Sequence, residues 1–73
     1  MSYLIVTVKV TANGQDAEAT VPCTLEEFLR SQGLHPRSVV VELNGLAISP
    51  SNFTSRELRD GDRLEIVKIV AGG

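Results

Sequence analysis

The chain has no tryptophan, one tyrosine, two phenylalanines, one cysteine and one histidine among its 73 residues. Each scarcity removes a class of function. A single cysteine, Cys23, closes no internal disulfide, and a single histidine, His35, cannot build a His-rich metal site. Basic runs are also missing. Seven Lys and Arg stand against nine Asp and Glu, scattered to a net charge of −2, which argues against non-specific nucleic-acid binding. No apolar stretch approaches a membrane span and no charged-then-apolar leader opens the sequence, so a reduced, cytoplasmic protein is expected. No glycine-rich loop followed by lysine is present to cradle a nucleotide phosphate. So few reactive side chains at this length argue against a self-sufficient enzyme; neither a metal nor a bound cofactor is expected.

What is present suffices for one domain spanning 1–73, with 42% hydrophobic residues for a single core. A domain of this size buries only about 60% of its unfolded surface, so its stability margin is modest. Tyr3 to Val10 is rich in β-branched residues and reads as a strand, with Leu4, Val6, Val8 and Val10 on its core face. Asn13-Gly14 then signals a hairpin turn into Asp16 to Val21, where Ala17, Ala19 and Val21 point inward. Thr24 and Glu27 have capping-box spacing, and Leu25, Phe28 and Leu29 form an apolar stripe. This predicts a helix of about ten residues, ended by a left-handed cap at Gly33 and by Pro36.

Ser38 to Leu43 is a third strand closed by Asn44-Gly45, and Leu46 to Ile48 a short return. Pro50 to Leu58 reads as an irregular connection anchored by Phe53 and Leu58. Asp60-Gly61-Asp62 is a tight turn into the last strand, Arg63 to Val70. Hairpin, helix, strand, short strand and final strand make an α+β domain with one helix over one face of a mixed sheet of four to five strands. The β-grasp, or ubiquitin-like, roll has this order, with a right-handed helical crossover returning a strand parallel to the first. The expected core is Leu4, Val6, Val8, Leu25, Phe28, Leu29, Leu43, Leu64 and Ile66.

Few positions offer chemistry. Cys23 precedes the helix, where the dipole is able to lower a thiol pKa, but a small half-buried corner residue is the favoured reading. His35 reads as a surface loop residue. Asp60 and Asp62 flank a glycine and read as turn formers rather than a metal or acid–base pair. Arg56, Arg59 and Arg63 gather near that turn, as a solvated rim or a contact for an acidic partner. Val70-Ala71-Gly72-Gly73 is the informative segment. Two glycines directly after an apolar strand suit a thin, mobile arm, 71–73, that presents a carboxylate inside a narrow site on another protein. On the last strand, Val67 and Ile69 lie opposite the core residues Leu64 and Ile66. If no bulge buries them, they join Val41 or Ile5 in a docking patch.

With Asn13-Gly14, Leu43-Asn44-Gly45, Asp60-Gly61-Asp62 and the closing Val70-Ala71-Gly72-Gly73, the sequence resembles the small sulfur-carrier proteins of the ThiS and MoaD group, most nearly the carriers of thiamine biosynthesis. The first strand is several residues longer than in many of those carriers, and Ser51 rather than arginine follows Pro50. The resemblance implies a protein that is substrate rather than catalyst and monomeric alone. An E1-like, ThiF-like adenylyltransferase would bind ATP and activate the Gly73 carboxylate, with Ala71 and Gly72 threading its site. A sulfur donor would then convert the carboxylate to a thiocarboxylate, for delivery to a ThiG-like thiazole synthase. Sibling carriers serve molybdopterin, cysteine or tRNA thiolation. Other readings are a ubiquitin-like modifier joined to lysines through Gly73, or a plain β-grasp interaction domain.

Overall fold

The structure, a computed structural model, describes residues 5–70. Five strands, β1 (Val6–Ala12), β2 (Gln15–Val21), β3 (Val39–Leu43), β4 (Leu46–Ile48) and β5 (Arg63–Lys68), form one sheet in the order β2-β1-β5-β3-β4. One helix, α1 (Leu25–Ser31), covers one face. The fold is the β-grasp roll expected from the sequence. Both hairpins turn on Asn-Gly pairs in which each residue has positive φ, 52° and 79° at Asn13 and Gly14, and 52° and 85° at Asn44 and Gly45. These are the dihedral signs of the type I′ turn, whose twist matches that of the flanking strands.

Strand directions differ from expectation in one respect. β1 is antiparallel to β2 and parallel to β5, while β5 is antiparallel to β3. The strand that returns parallel to the first is therefore the last one, β5. β3, which follows the helix, runs in the direction of β2 instead. Strand boundaries also shift: β1 runs on past Val10 to the turn at Ala12, and β5 ends at Lys68 rather than Val70, while Tyr3, the expected start of the first strand, lies outside the described residues.

α1 is seven residues long, shorter than predicted, and depends on its caps and packing. The Thr24 side chain accepts from the Glu27 N–H at 3.1 Å, and Glu27 Oε1 accepts from the Thr24 N–H at 3.1 Å. The Leu25 and Glu26 N–H groups donate to the Arg56 and Phe53 carbonyls, so the 50–58 connection satisfies the helix start. At the other end Gly33, at φ 75°, and Leu34 donate back to the Arg30 and Leu29 carbonyls, a Schellman cap. Leu25, Phe28 and Leu29 pack on Val10, Ala19, Val39, Val41, Leu43 and Leu64, with Phe53 and Leu58 closing the edge.

The core is displaced from the one expected. Val8 and Ile66 are half-buried against it, but Val6 is 51% exposed despite sharing the aliphatic face of β1. β5 meets β1 only at Thr11 and Ala12, so the Val6 end of the first hairpin overhangs the short helix and has little to pack on. Leu4 lies outside the described residues.

Candidate functional site

β5 is the element on which the site is built, and its two margins are fastened differently. At its start the Asp60-Gly61-Asp62 turn is fully committed to the fold. Asp60 Oδ1 accepts from the Lys9 N–H at 2.9 Å, and the buried Asp62 carboxylate accepts from the Arg59 N–H at 2.8 Å and from Asn44 Nδ2 at 2.9 Å. Arg56 stands 3.7 Å from the same carboxylate. Asn44 Oδ1 accepts from the Arg63 N–H at 2.8 Å. The aspartates are turn formers, and Arg56 is spent on one of them rather than held out to a partner. Further along, Asn13 Oδ1 accepts from the Ile66 N–H at 2.7 Å while Asn13 Nδ2 donates to the Ile66 carbonyl at 3.0 Å.

The outward face of the sheet carries the exposed apolar groups. β5 alternates Leu64 and Ile66 inward with Glu65 and Val67 outward, and the ladder continues beyond Lys68 through the Ile69 N–H to the Ser38 carbonyl at 2.8 Å. No bulge intervenes, so Val67 is 64% and Ile69 55% exposed. The register sets Val67 opposite Val40, which is 51% exposed. Val41 does not belong to this surface. It is fully buried, because β3 sends Val39, Val41 and Leu43 to the helix and Val40 and Glu42 to solvent. Ile5 is exposed but remote: it precedes Thr11 by as many residues as Ile69 follows Arg63, the partner of Thr11, a separation of about 40 Å of strand. The patch is thus Val40, Val67 and Ile69, at the end of the sheet from which the chain leaves toward Gly73. Beside it Glu42 and Glu65 stand directly opposite each other, a like-charge pair that weakens the isolated sheet slightly.

Cys23 is half-buried at the corner before α1, its Sγ 3.4 Å from the Thr24 carbonyl. Burial pushes its thiol pKa up, and the Glu27 carboxylate adds to the effect, so the helix start does not activate it. Among the described residues no three His, Cys, Asp or Glu side chains gather to hold a metal, and no helix is long and apolar enough to cross a membrane. Ala71, Gly72 and Gly73 lie outside the described residues.

Comparison with known proteins agrees with this geometry. The ThiS family model matches residues 10–73. The chain belongs to the ThiS family. It is therefore of the sulfur-carrier type. The sulfur carrier protein ThiS of Thermus thermophilus is 40% identical over 50 residues, covering 68% of this chain and 78% of that protein. The crystal structure of thiamine biosynthesis protein ThiS from Geobacter metallireducens superposes with a TM-score of 0.72 at 26% identity, covering 90% of this chain and all of that one. A thiazole synthase of Paramagnetospirillum magneticum is 33% identical over 66 residues, 90% of this chain but 20% of that protein. The chain spans about a fifth of the length of the thiazole synthases it matches.

Proposed function

We propose that this chain carries sulfur for the formation of the thiamine thiazole, as a thiocarboxylate on Gly73. The observation that carries the pathway is the match within proteins named thiazole synthase. A carrier domain built into the same polypeptide as a synthase meets it at high effective concentration, which suits a donor and its acceptor. In this reading the domain is a protein co-substrate rather than an enzyme.

The chemistry follows from the carboxylate. A carboxylate resists nucleophiles until one oxygen becomes part of a leaving group. An E1-like adenylyltransferase supplies ATP, the Gly73 carboxylate attacks the α-phosphate, and pyrophosphate leaves. A persulfide sulfur then attacks the acyl carbon and displaces AMP, and a second thiol attacks the donor sulfur of the resulting acyl disulfide, leaving the thiocarboxylate and carrying the donor away as a disulfide. The Val40, Val67 and Ile69 patch docks on the adenylyltransferase and aims the 71–73 arm into its site. Small residues there let backbone pass through a narrow channel.

The test is ATP–pyrophosphate exchange with the cognate adenylyltransferase. Deleting Gly73 retracts the carboxylate by about 3.5 Å, one residue of extended chain. Misplacement by about 1 Å already costs on the order of a hundredfold in rate. The truncated chain is expected to fold normally and support no exchange, and Gly72→Val to come close to the same result. Full exchange by the truncated chain would sink the proposal.

A further inference from the structure

β1 and β5 are parallel neighbours only briefly, because β1 turns away at Asn13 while β5 continues. The Thr11 N–H donates to the Asp62 carbonyl and the Asn13 N–H to the Leu64 carbonyl; the next rung would need a residue that β1 does not have. The Asn13 side chain supplies it. Its amide presents one acceptor and one donor, as a backbone residue would, and takes both polar groups of Ile66 at 2.7 and 3.0 Å. Positive φ at Asn13 lets one residue make the turn and still reach across, and asparagine tolerates that conformation well.

The consequence lies downstream. Ile66 is the last residue of β5 held from both sides. From there β3 alone holds the strand, as far as the Ile69 N–H, and Val70 is 84% exposed. We propose that Asn13 is a positioning residue for the transfer reaction: its clasp on Ile66 fixes where and in which direction the arm toward Gly73 leaves the sheet. This rests on the carrier reading above. Without the clasp, the anchor on the β1 side recedes from Ile66 to Leu64. Val67 still pairs with Val40 through β3, so the docking patch persists. Loss of Asn13 therefore acts on turnover rather than on recognition.

Asn44 provides the control. It sits in the other Asn-Gly turn and clasps the opposite end of β5 through the Arg63 N–H. The experiment compares wild type, Asn13→Gly, Asn13→Asp and Asn44→Gly in ATP–pyrophosphate exchange with the adenylyltransferase, beside melting curves and amide hydrogen exchange of the isolated chains. Glycine keeps the positive-φ turn and removes the clasp. Aspartate keeps the shape but lacks the donor and repels the Ile66 carbonyl, so it decides the matter if Asn13→Gly fails to fold. Both Asn13 variants are expected to lower kcat about tenfold with KM within about twofold, and Asn13→Gly, which removes the acceptor for the Ile66 N–H, also to speed exchange of that amide. Asn44→Gly is expected to melt at a lower temperature yet keep the wild-type kcat. Unchanged kcat in the Asn13 variants, an equal kcat loss in Asn44→Gly, or unchanged Ile66 exchange in Asn13→Gly would overturn the positioning role. A wild-type chain inert in the same assay would instead overturn the carrier reading.

Discussion

β5 is only six residues long, yet its start and its end spend their polar and apolar groups differently. At the start, Asp60, Asp62, Asn44 and Arg56 are committed to bonds with one another or with neighbouring backbone. At the end, one asparagine clasp and one strand ladder hold the backbone, while Val67, Ile69 and Val70 face solvent. One end is built for stability. The other leaves a small domain with apolar surface that its own fold does not use, close to the segment that leads to Gly73. A protein whose stability margin is only about 5–15 kcal/mol gives up burial at such residues where a partner is to cover them.

Opening the core breaks both ends together. Phe28→Ala empties the helix side of the core, where Phe28 is 1% exposed, and should cost about 3–5 kcal/mol in denaturant unfolding. An unchanged midpoint would mean that α1 does not hold the sheet. Next, Asp62→Ala breaks the start alone. It leaves Asn44 Nδ2 and the Arg59 N–H without their acceptor, for an expected loss of about 2–3 kcal/mol. Among folded molecules, affinity for the adenylyltransferase should be retained, as titration below the melting transition would register.

Val67→Asp reverses that pattern. On an exposed position it should move the melting curve little, yet weaken binding to the adenylyltransferase at least about tenfold, the scale of an interface anchor. Equal binding by Val67→Asp would remove the outer face from the docking surface. The comparison between ends would then reduce to stability alone.

Much of this was legible in the sequence, and the exceptions have physical causes. Alternation identified the core face of β5, and residue types alone identified both Asn-Gly turns and the Thr24–Glu27 box. In Val39-Val40-Val41, however, every residue is apolar, so only the pairing of Val40 with Val67 and Val41 with Ile66 reveals which valine faces solvent. Val6 shares the greasy face of β1 but is exposed, since burial depends on how far a seven-residue helix reaches. Asn13 was readable as a turn residue. Its second task, across 53 residues of chain, has no local signature.

The smallest effect concerns the helix cap, remote from both ends of β5. Backbone and side-chain hydrogen bonds from Thr24 hold the Glu27 carboxyl below the ordinary carboxylate range. A lowered folded-state pKa means that the contribution is complete above the unfolded value and is lost as pH falls through the folded one. Glu27→Gln should therefore melt slightly below wild type at neutral pH, with the difference closing on acidification below the usual carboxylate range. A constant difference across that range would show that the charge on Glu27 contributes nothing.

If sulfur travels on Gly73, one mass measurement reveals it. The chain, incubated with adenylyltransferase, ATP and a persulfide donor under reducing conditions, is analysed intact and after proteolysis, beside Cys23→Ser. The expected result is a gain equal to the exchange of one oxygen for one sulfur, confined to the peptide containing Gly73 and undiminished in Cys23→Ser. An unshifted mass, or sulfur found on Cys23 and lost in Cys23→Ser, would contradict it.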